Sequence, residues 1–291
     1  MKNLKLILTF FTLWLSVFLD QMLENYLAYF CILSLGVLHG ANDIEISEKT
    51  LAKNSVLSKK GVLLLVYIAC ILSITLLLLQ FPAFTLFLFI LLSAYHFGEQ
   101  HWEALISNKG MYSKLFMISY GMTILCLLFL AHQPLVSQIV FDIAGFSVSN
   151  STIKIIFILS SAAMVALYAI KLNSKFNFQF TIRQLFYFLV FFLVFNSTTL
   201  LWAFAIYFIF WHSLPSLFDQ MFFLYGRRDA KGFLQFLKSS ILYWAMAVLF
   251  LVGYSLFFTK GIALNLSLFF AFLTALTIPH IFIMYFSKKV S

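Results

Sequence analysis

Residues 61–80 read GVLLLVYIACILSITLLLLQ and residues 82–98 read PAFTLFLFILLSAYHFG, two runs that together hold no Asp, Glu, Lys or Arg. A hydrocarbon core of ~30 Å takes about 17–25 apolar residues of helix, so each run reads as one membrane span. The same reading extends outward to eight more runs, at 4–19, 25–39, 113–131, 154–171, 184–197, 198–214, 239–258 and 262–286. The expected fold is an all-α integral membrane protein, a polytopic bundle of about ten helices. The count is eight to ten, because the seventh and eighth runs divide only at Asn196-Ser197-Thr198-Thr199.

Composition says the same. Of 291 residues, 63% are apolar, 19% aromatic and 10% charged, with mean hydropathy +1.00. A soluble domain carries about 25% charged residues, so the bilayer is the solvent. Cys31, Cys70 and Cys126 sit inside apolar runs at unrelated spacings, which excludes both a zinc CxxC pair and a disulfide framework.

The net charge of +9 lies in the gaps between runs. With the N-terminus in the cytoplasm, the inner gaps hold Lys2, Lys5, Lys49, Lys53, Lys59, Lys60, Lys109, Lys114, Lys171, Lys175, Arg183, Arg227, Arg228, Lys231, Lys238, Lys288 and Lys289. Only Lys154 and Lys260 fall outside. That asymmetry follows the positive-inside rule and predicts an even number of spans with both termini cytoplasmic, so the charge is topological and no nucleic acid is expected. The first run ends Val17-Phe18-Leu19-Asp20-Gln21, with no small-residue cleavage site, and is kept as a helix. The longest outer loop is expected at 132–153. No repeat or linker divides the chain, and 1–291 is read as a single multi-span membrane domain.

An ionisable group at membrane depth is costly unless paired or ligated, and so is a functional candidate. His39 closes the second run, His96 the fourth and His212 the eighth, while His280 lies in the tenth after Pro279. All four runs descend in the same direction, so the four histidines share one depth, toward the cytoplasmic side. Histidines on separate helices at one depth can build a metal site in a bundle, and neutral imidazole suits iron, copper, zinc or nickel. The competing reading is four hydrogen-bonded histidines at helix ends. His101, about 140° round a helix from His96, is placed beside the site or on the surface, and His132, at the outer end of the fifth run, is structural.

Asp43 follows His39 by four residues and Glu99 follows His96 by three, spacings that put each carboxylate on its histidine's helical face. A ligating imidazole commonly gives its other N–H to such a group, so Asp43 and Glu99 are expected to support the ligands, with Asp219 serving the His212 region. The alternative is that they are ordinary helix-end charges. Pro215 and Pro279 stand next to two of the histidines. The 38 Phe, 13 Tyr and 5 Trp would suit a tunnel for a long hydrocarbon, but equally face lipid.

Leu38-His39-Gly40-x-x-Asp43, Tyr95-His96-Phe97-Gly98, Phe210-Trp211-His212-Ser213 and Ile278-Pro279-His280 resemble the successive signatures of the Brp/Blh family of integral-membrane β-carotene 15,15'-dioxygenases. The resemblance implies an iron(II) enzyme that splits the central double bond of β-carotene with O2 into two all-trans-retinal. It implies His39, His96 and His212 as iron ligands, with no catalytic residue beyond the metal ligands. The family's HSxxH motif departs here, since Ser216 stands where its second histidine would be. Either His280 supplies a fourth nitrogen or three histidines hold the iron, and Ser216 is kept as a neighbour of the ligands. The expected partners are β-carotene, O2 and membrane lipid, in the inner membrane, with a functional link to a rhodopsin. Two alternatives stand beside this: a metal-dependent oxygenase acting on another carotenoid or lipid, and a non-catalytic polyene-binding or transport protein. A di-iron hydroxylase is disfavoured, because its HxxxH boxes are absent from the chain's six histidines.

Overall fold

The computed structural model describes residues 2–51, 59–102, 105–106, 110–172, 178–259 and 265–290. Of the lysines that set the expected orientation, Lys53, Lys109, Lys175 and Lys260 lie outside the described residues.

Among the described residues every regular element is a helix. In chain order they are α1 (Lys2–Ser16), α2 (Gln21–Cys31), α3 (Val37–Gly40), α4 (Asp43–Thr50), α5 (Lys60–Gln80), α6 (Pro82–Trp102), α7 (Met111–Ala131), α8 (Gln133–Ala144), α9 (Asn150–Leu167), α10 (Phe178–Ser197), α11 (Leu200–Tyr207), α12 (Leu214–Tyr225), α13 (Ala230–Thr259) and α14 (Leu266–Val290). Wider π-helical turns at Ile32–Gly36, Tyr168–Leu172 and Phe208–Ser213 extend or join these pieces. Nine of the resulting helices among the described residues are long and apolar enough to cross a membrane. The remaining expected run, the first, is α1, whose Asn3–Ser16 stretch is apolar but shorter.

Local chemistry sets the ends. The Asp20 carboxylate accepts from the Leu23 N–H at 2.7 Å and starts α2, and Ser149 does the same for Thr152 at the start of α9. Gly226, at φ 69°, takes the left-handed conformation that closes α12. The division expected near residues 196–199 is real: α10 stops at Ser197 and α11 begins at Leu200. Two expectations need correction. The stretch 132–153 is not simply a loop: Val136 and Ile139, three apart, are buried on one side of a twelve-residue helix, α8, which stops at Ala144 before the left-handed Gly145. The second run does not end at His39 either: after a turn at Ala41-Asn42 the chain re-enters helix as the polar α4.

The chain divides into two compact units. The first comprises Met1–Ile32, Ile90–Phe141 and Phe146–His212. In it α7 packs on α9, α10 and α11, and α2 packs on α11. α6 and α7 meet backbone to backbone at Gly98 and Gly121, and the core is filled by Phe116, Tyr120, Phe191, Phe195, Tyr207 and Trp211. Glu24 on α2 is buried and its carboxylate accepts from the Thr199 N–H at 2.8 Å, capping the exposed donors at the start of α11. Glu24→Ala leaves that N–H without its acceptor and is expected to cost about 1–3 kcal/mol. The loss reads as a lower thermal midpoint in detergent, and Glu24→Gln, which keeps an acceptor oxygen, recovers most of it; an unchanged midpoint for alanine would show that the cap contributes nothing.

The second unit comprises Leu33–Phe89, Asp142–Gly145 and Ser213–Ser291. Here α14 packs on α4 and α5, α13 on α3, and α12 on α13, around a core of Leu38, Leu217, Met221 and Phe236. The π turn before α3 leaves carbonyls off the regular ladder, and the Trp244 indole N–H donates to one of them, Leu33 O, at 2.7 Å. Much of the apolar surface of α5, including Leu65, Leu72, Leu76 and Leu79, stays exposed, as a helix solvated by lipid requires.

Candidate metal centre

Each unit carries one pair of the candidate histidines. In the second unit, His39 on α3 and His280 on α14 meet edge to face, with ring centroids 4.8 Å apart, and both are buried. His39 Nδ1 faces the Gly36 carbonyl, one turn back in the π segment. A carbonyl only accepts, so Nδ1 carries the proton and the ring's lone pair lies on Nε2. His280 Nδ1 lies 2.8 Å from Asp43 Oδ1. Donating to a carboxylate places its proton on Nδ1 as well, and again leaves the lone pair on Nε2. Pro279 lacks the N–H that would continue the ladder of α14 directly ahead of His280. The backbone is close here too, since a Cβ on Gly40 would stand 3.7 Å from His280 Nδ1, in ordinary contact.

In the first unit, His96 on α6 and His212 in the Phe208–Ser213 π turn meet the same way, with centroids 4.6 Å apart and both side chains buried. Phe97 packs edge-on to His212 and Phe208 stacks on it. π turns inside α-helices are frequent at functional sites. Here one contains His212 and another ends three residues before His39.

The carboxylates divide differently from their sequence spacing. Asp43 serves His280 and not His39, because the turn at Ala41-Asn42 breaks the helix that would have stacked residues 39 and 43, and makes Asp43 the first residue of α4. Its second oxygen accepts from the Tyr67 hydroxyl at 2.9 Å. Asn42 is fully buried, donating to Phe236 O at 3.2 Å and accepting from Ser239 at 2.7 Å, which pins the turn. Glu99 is buried and accepts from Tyr95, one turn back on α6, at 2.7 Å. Asp219 is half exposed and pairs with Arg228 at 2.9 Å, the place of a surface charge. Ser216 is fully buried and accepts from the Gln220 amide at 3.3 Å, and that amide also reaches the Met284 thioether at 3.7 Å. His101 stacks on Trp211 and meets the Tyr120 hydroxyl at 3.1 Å. His132, just past the end of α7, is held below the ordinary histidine range by burial, against a hydrogen bond with the Phe195 backbone.

Among the described residues no group of three or more His, Cys, Asp or Glu is gathered as a closed metal site. What each unit presents is a buried pair of imidazoles, and the second unit's pair has both lone pairs directed onto Nε2. Neutral nitrogen donors without thiolate suit iron, copper, zinc or nickel, so iron is among the metals they fit. Tyr67 and Asn42 escaped the sequence reading. Tyr67 had one signal, a phenol in the middle of an otherwise apolar run.

The model of the family described as beta-carotene 15,15'-dioxygenase matches residues 30–288. The chain belongs to that family. No curated protein and no solved structure matches it. The matched segment runs from the end of α2 into the last turns of α14, so all four motif histidines of this dioxygenase-family chain lie inside it.

Proposed function

We propose that the chain is an iron(II)-dependent β-carotene 15,15'-dioxygenase that cleaves the central double bond to two all-trans-retinal, with His39, His96, His212 and His280 as the ligand set. The observation that carries the reading is the His39–His280 pair, two buried imidazoles each held in the Nδ1–H form with Nε2 as the donor atom. The family match supports the substrate class.

The reaction balances without a further reductant: one C=C bond breaks and each of the two O2 atoms ends in one aldehyde. Iron(II), when bound, supplies the one-electron chemistry that lets O2 react with an alkene. The chain's own share is different. Gly36 O and Asp43 fix the tautomers of His39 and His280, while Phe97 and Phe208 brace the His212 ring. Burial of all four histidines keeps bulk water from reactive oxygen species. No side chain has to move a proton. An even span count, with α1 as the tenth, puts both termini and the histidines at the cytoplasmic side of the inner membrane by the lysine and arginine asymmetry. A rhodopsin would be the functional partner of the product.

Expression in bacteria that accumulate β-carotene tests the reading. Bleaching of the cells, with retinal in the extract at about two molecules per carotene lost, as the stoichiometry of central cleavage requires, is the expected result. Undiminished β-carotene in cells whose inserted protein contains iron would overturn the substrate assignment. Inserted protein without iron would overturn the metal assignment.

A further inference from the structure

Tyr67 on α5 reaches the histidine chemistry of the second unit. Its hydroxyl donates to Asp43 Oδ2 at 2.9 Å while Asp43 Oδ1 receives His280 Nδ1–H at 2.8 Å. Three helices packed on one another, α5, α4 and α14, each contribute one member of the chain Tyr67–Asp43–His280.

A carboxylate held through one oxygen can still turn about its Cβ–Cγ bond, and turning it would carry the acceptor away from the imidazole. With a donor on each oxygen that rotation is stopped, and the direction of the His280 ring is stopped with it. Asp43 is buried to about 1% exposure, so no water shell competes for either oxygen. A phenol is also a costly group to place in the middle of a lipid-solvated helix unless its hydroxyl is used. We infer that Tyr67 is a positioning residue for the iron site: by clamping the second oxygen of Asp43 it fixes the tautomer and aim of His280 and so raises the affinity of the site for iron. The inference rests on the proposed iron reading.

The test uses the full-length protein, purified in detergent, stripped of metal and titrated anaerobically with Fe(II). Removing a partner of a ligating histidine costs about 10–100-fold in metal affinity, so Asp43→Asn is expected to weaken Fe(II) binding by that factor. Tyr67→Phe, one step further out, should weaken it by about threefold to tenfold on the same scale. In the double variant Tyr67→Phe adds nothing, because it acts only through Asp43. Tyr168→Phe is the control: it removes a tyrosine hydroxyl bonded to Thr181 at 2.6 Å, in the first unit, and leaves affinity unchanged. A measurement free of variants accompanies these, the 15N shifts of the histidine rings in the metal-free wild type, which should show His280 protonated at Nδ1.

Wild-type affinity in Tyr67→Phe, additive losses in the double variant, or a His280 proton on Nε2 would each overturn the inference while leaving the iron reading intact. A wild-type protein that binds no Fe(II) would overturn the iron reading, and this inference with it.

Discussion

His39→Ala, His96→Ala and His212→Ala each abolish retinal formation in β-carotene-accumulating cells, and His280→Ala does the same. The expectation rests on how these rings are held. Each is buried and packs edge to face on another histidine, at 4.6 Å in one pair and 4.8 Å in the other. An imidazole buried in an apolar bundle is expensive to keep for packing alone. If the rings merely filled space, leucine in place of His96 would cost little or stabilise, whereas at His280 it would leave the buried Asp43 carboxylate without that partner and destabilise. If they hold iron, leucine in place of His96 preserves the fold and removes the metal. The decisive comparison is therefore His96→Leu beside His96→Ala, with insertion measured by detergent extraction and iron measured per protein. The expected outcome is folded leucine protein with iron reduced by about tenfold or more and no detectable retinal. Near wild-type retinal in any one variant removes that residue from the ligand set. For His280 this settles what Ser216 leaves open, since a chain that keeps both iron and activity without His280 uses three histidines.

The candidate histidines were legible in the sequence because each lies in or at the end of an apolar run, where an ionisable side chain is costly. Their pairing was not legible, because whether His96 meets His212 or another ring depends on which helices pack together. The assignment of Asp43 to His39 failed for a local reason. The i to i+4 rule holds only while the helix continues, and the turn at Ala41-Asn42 interrupts it. The π turns left no sequence mark either, since a wide turn differs from an ordinary one only in which carbonyl accepts. The support of one of them, Trp244 on Leu33 O, comes from a residue more than two hundred positions away. In α8 the apolar spacing was present, and the short stretch between two long spans was read as connection because of its length.

The largest structural effect is expected where two glycines let α6 and α7 touch. A Cβ added to Gly98 would lie 2.0 Å from the Met117 carbonyl oxygen, and one added to Gly121 would lie 1.9 Å from the Ala94 carbonyl oxygen. Both obstacles are backbone, so no side chain can rotate out of the way. The helices must part, and overpacking of this kind costs about 1–3 kcal/mol at a site that can relax and more at one that cannot. Small residues that let backbones approach are the usual means of holding helices together in lipid, where the hydrophobic effect gives no drive toward association. Gly98→Ala and Gly121→Ala are therefore expected to lose the folded protein, seen as aggregation on extraction or a thermal midpoint lower by many degrees. Gly253→Ala supplies the contrast. Nothing stands within 4 Å of its Cβ and it lies inside α13, so alanine there is expected to be neutral or to stabilise by about 0.5–1 kcal/mol. The prediction reaches function as well, because His96 lies between Ala94 and Gly98 on α6 and moves with that helix. A Gly98→Ala protein that folds should hold less iron than the wild type, whereas one that folds and binds iron at the wild-type level would show that α6 can shift without displacing the histidine it carries.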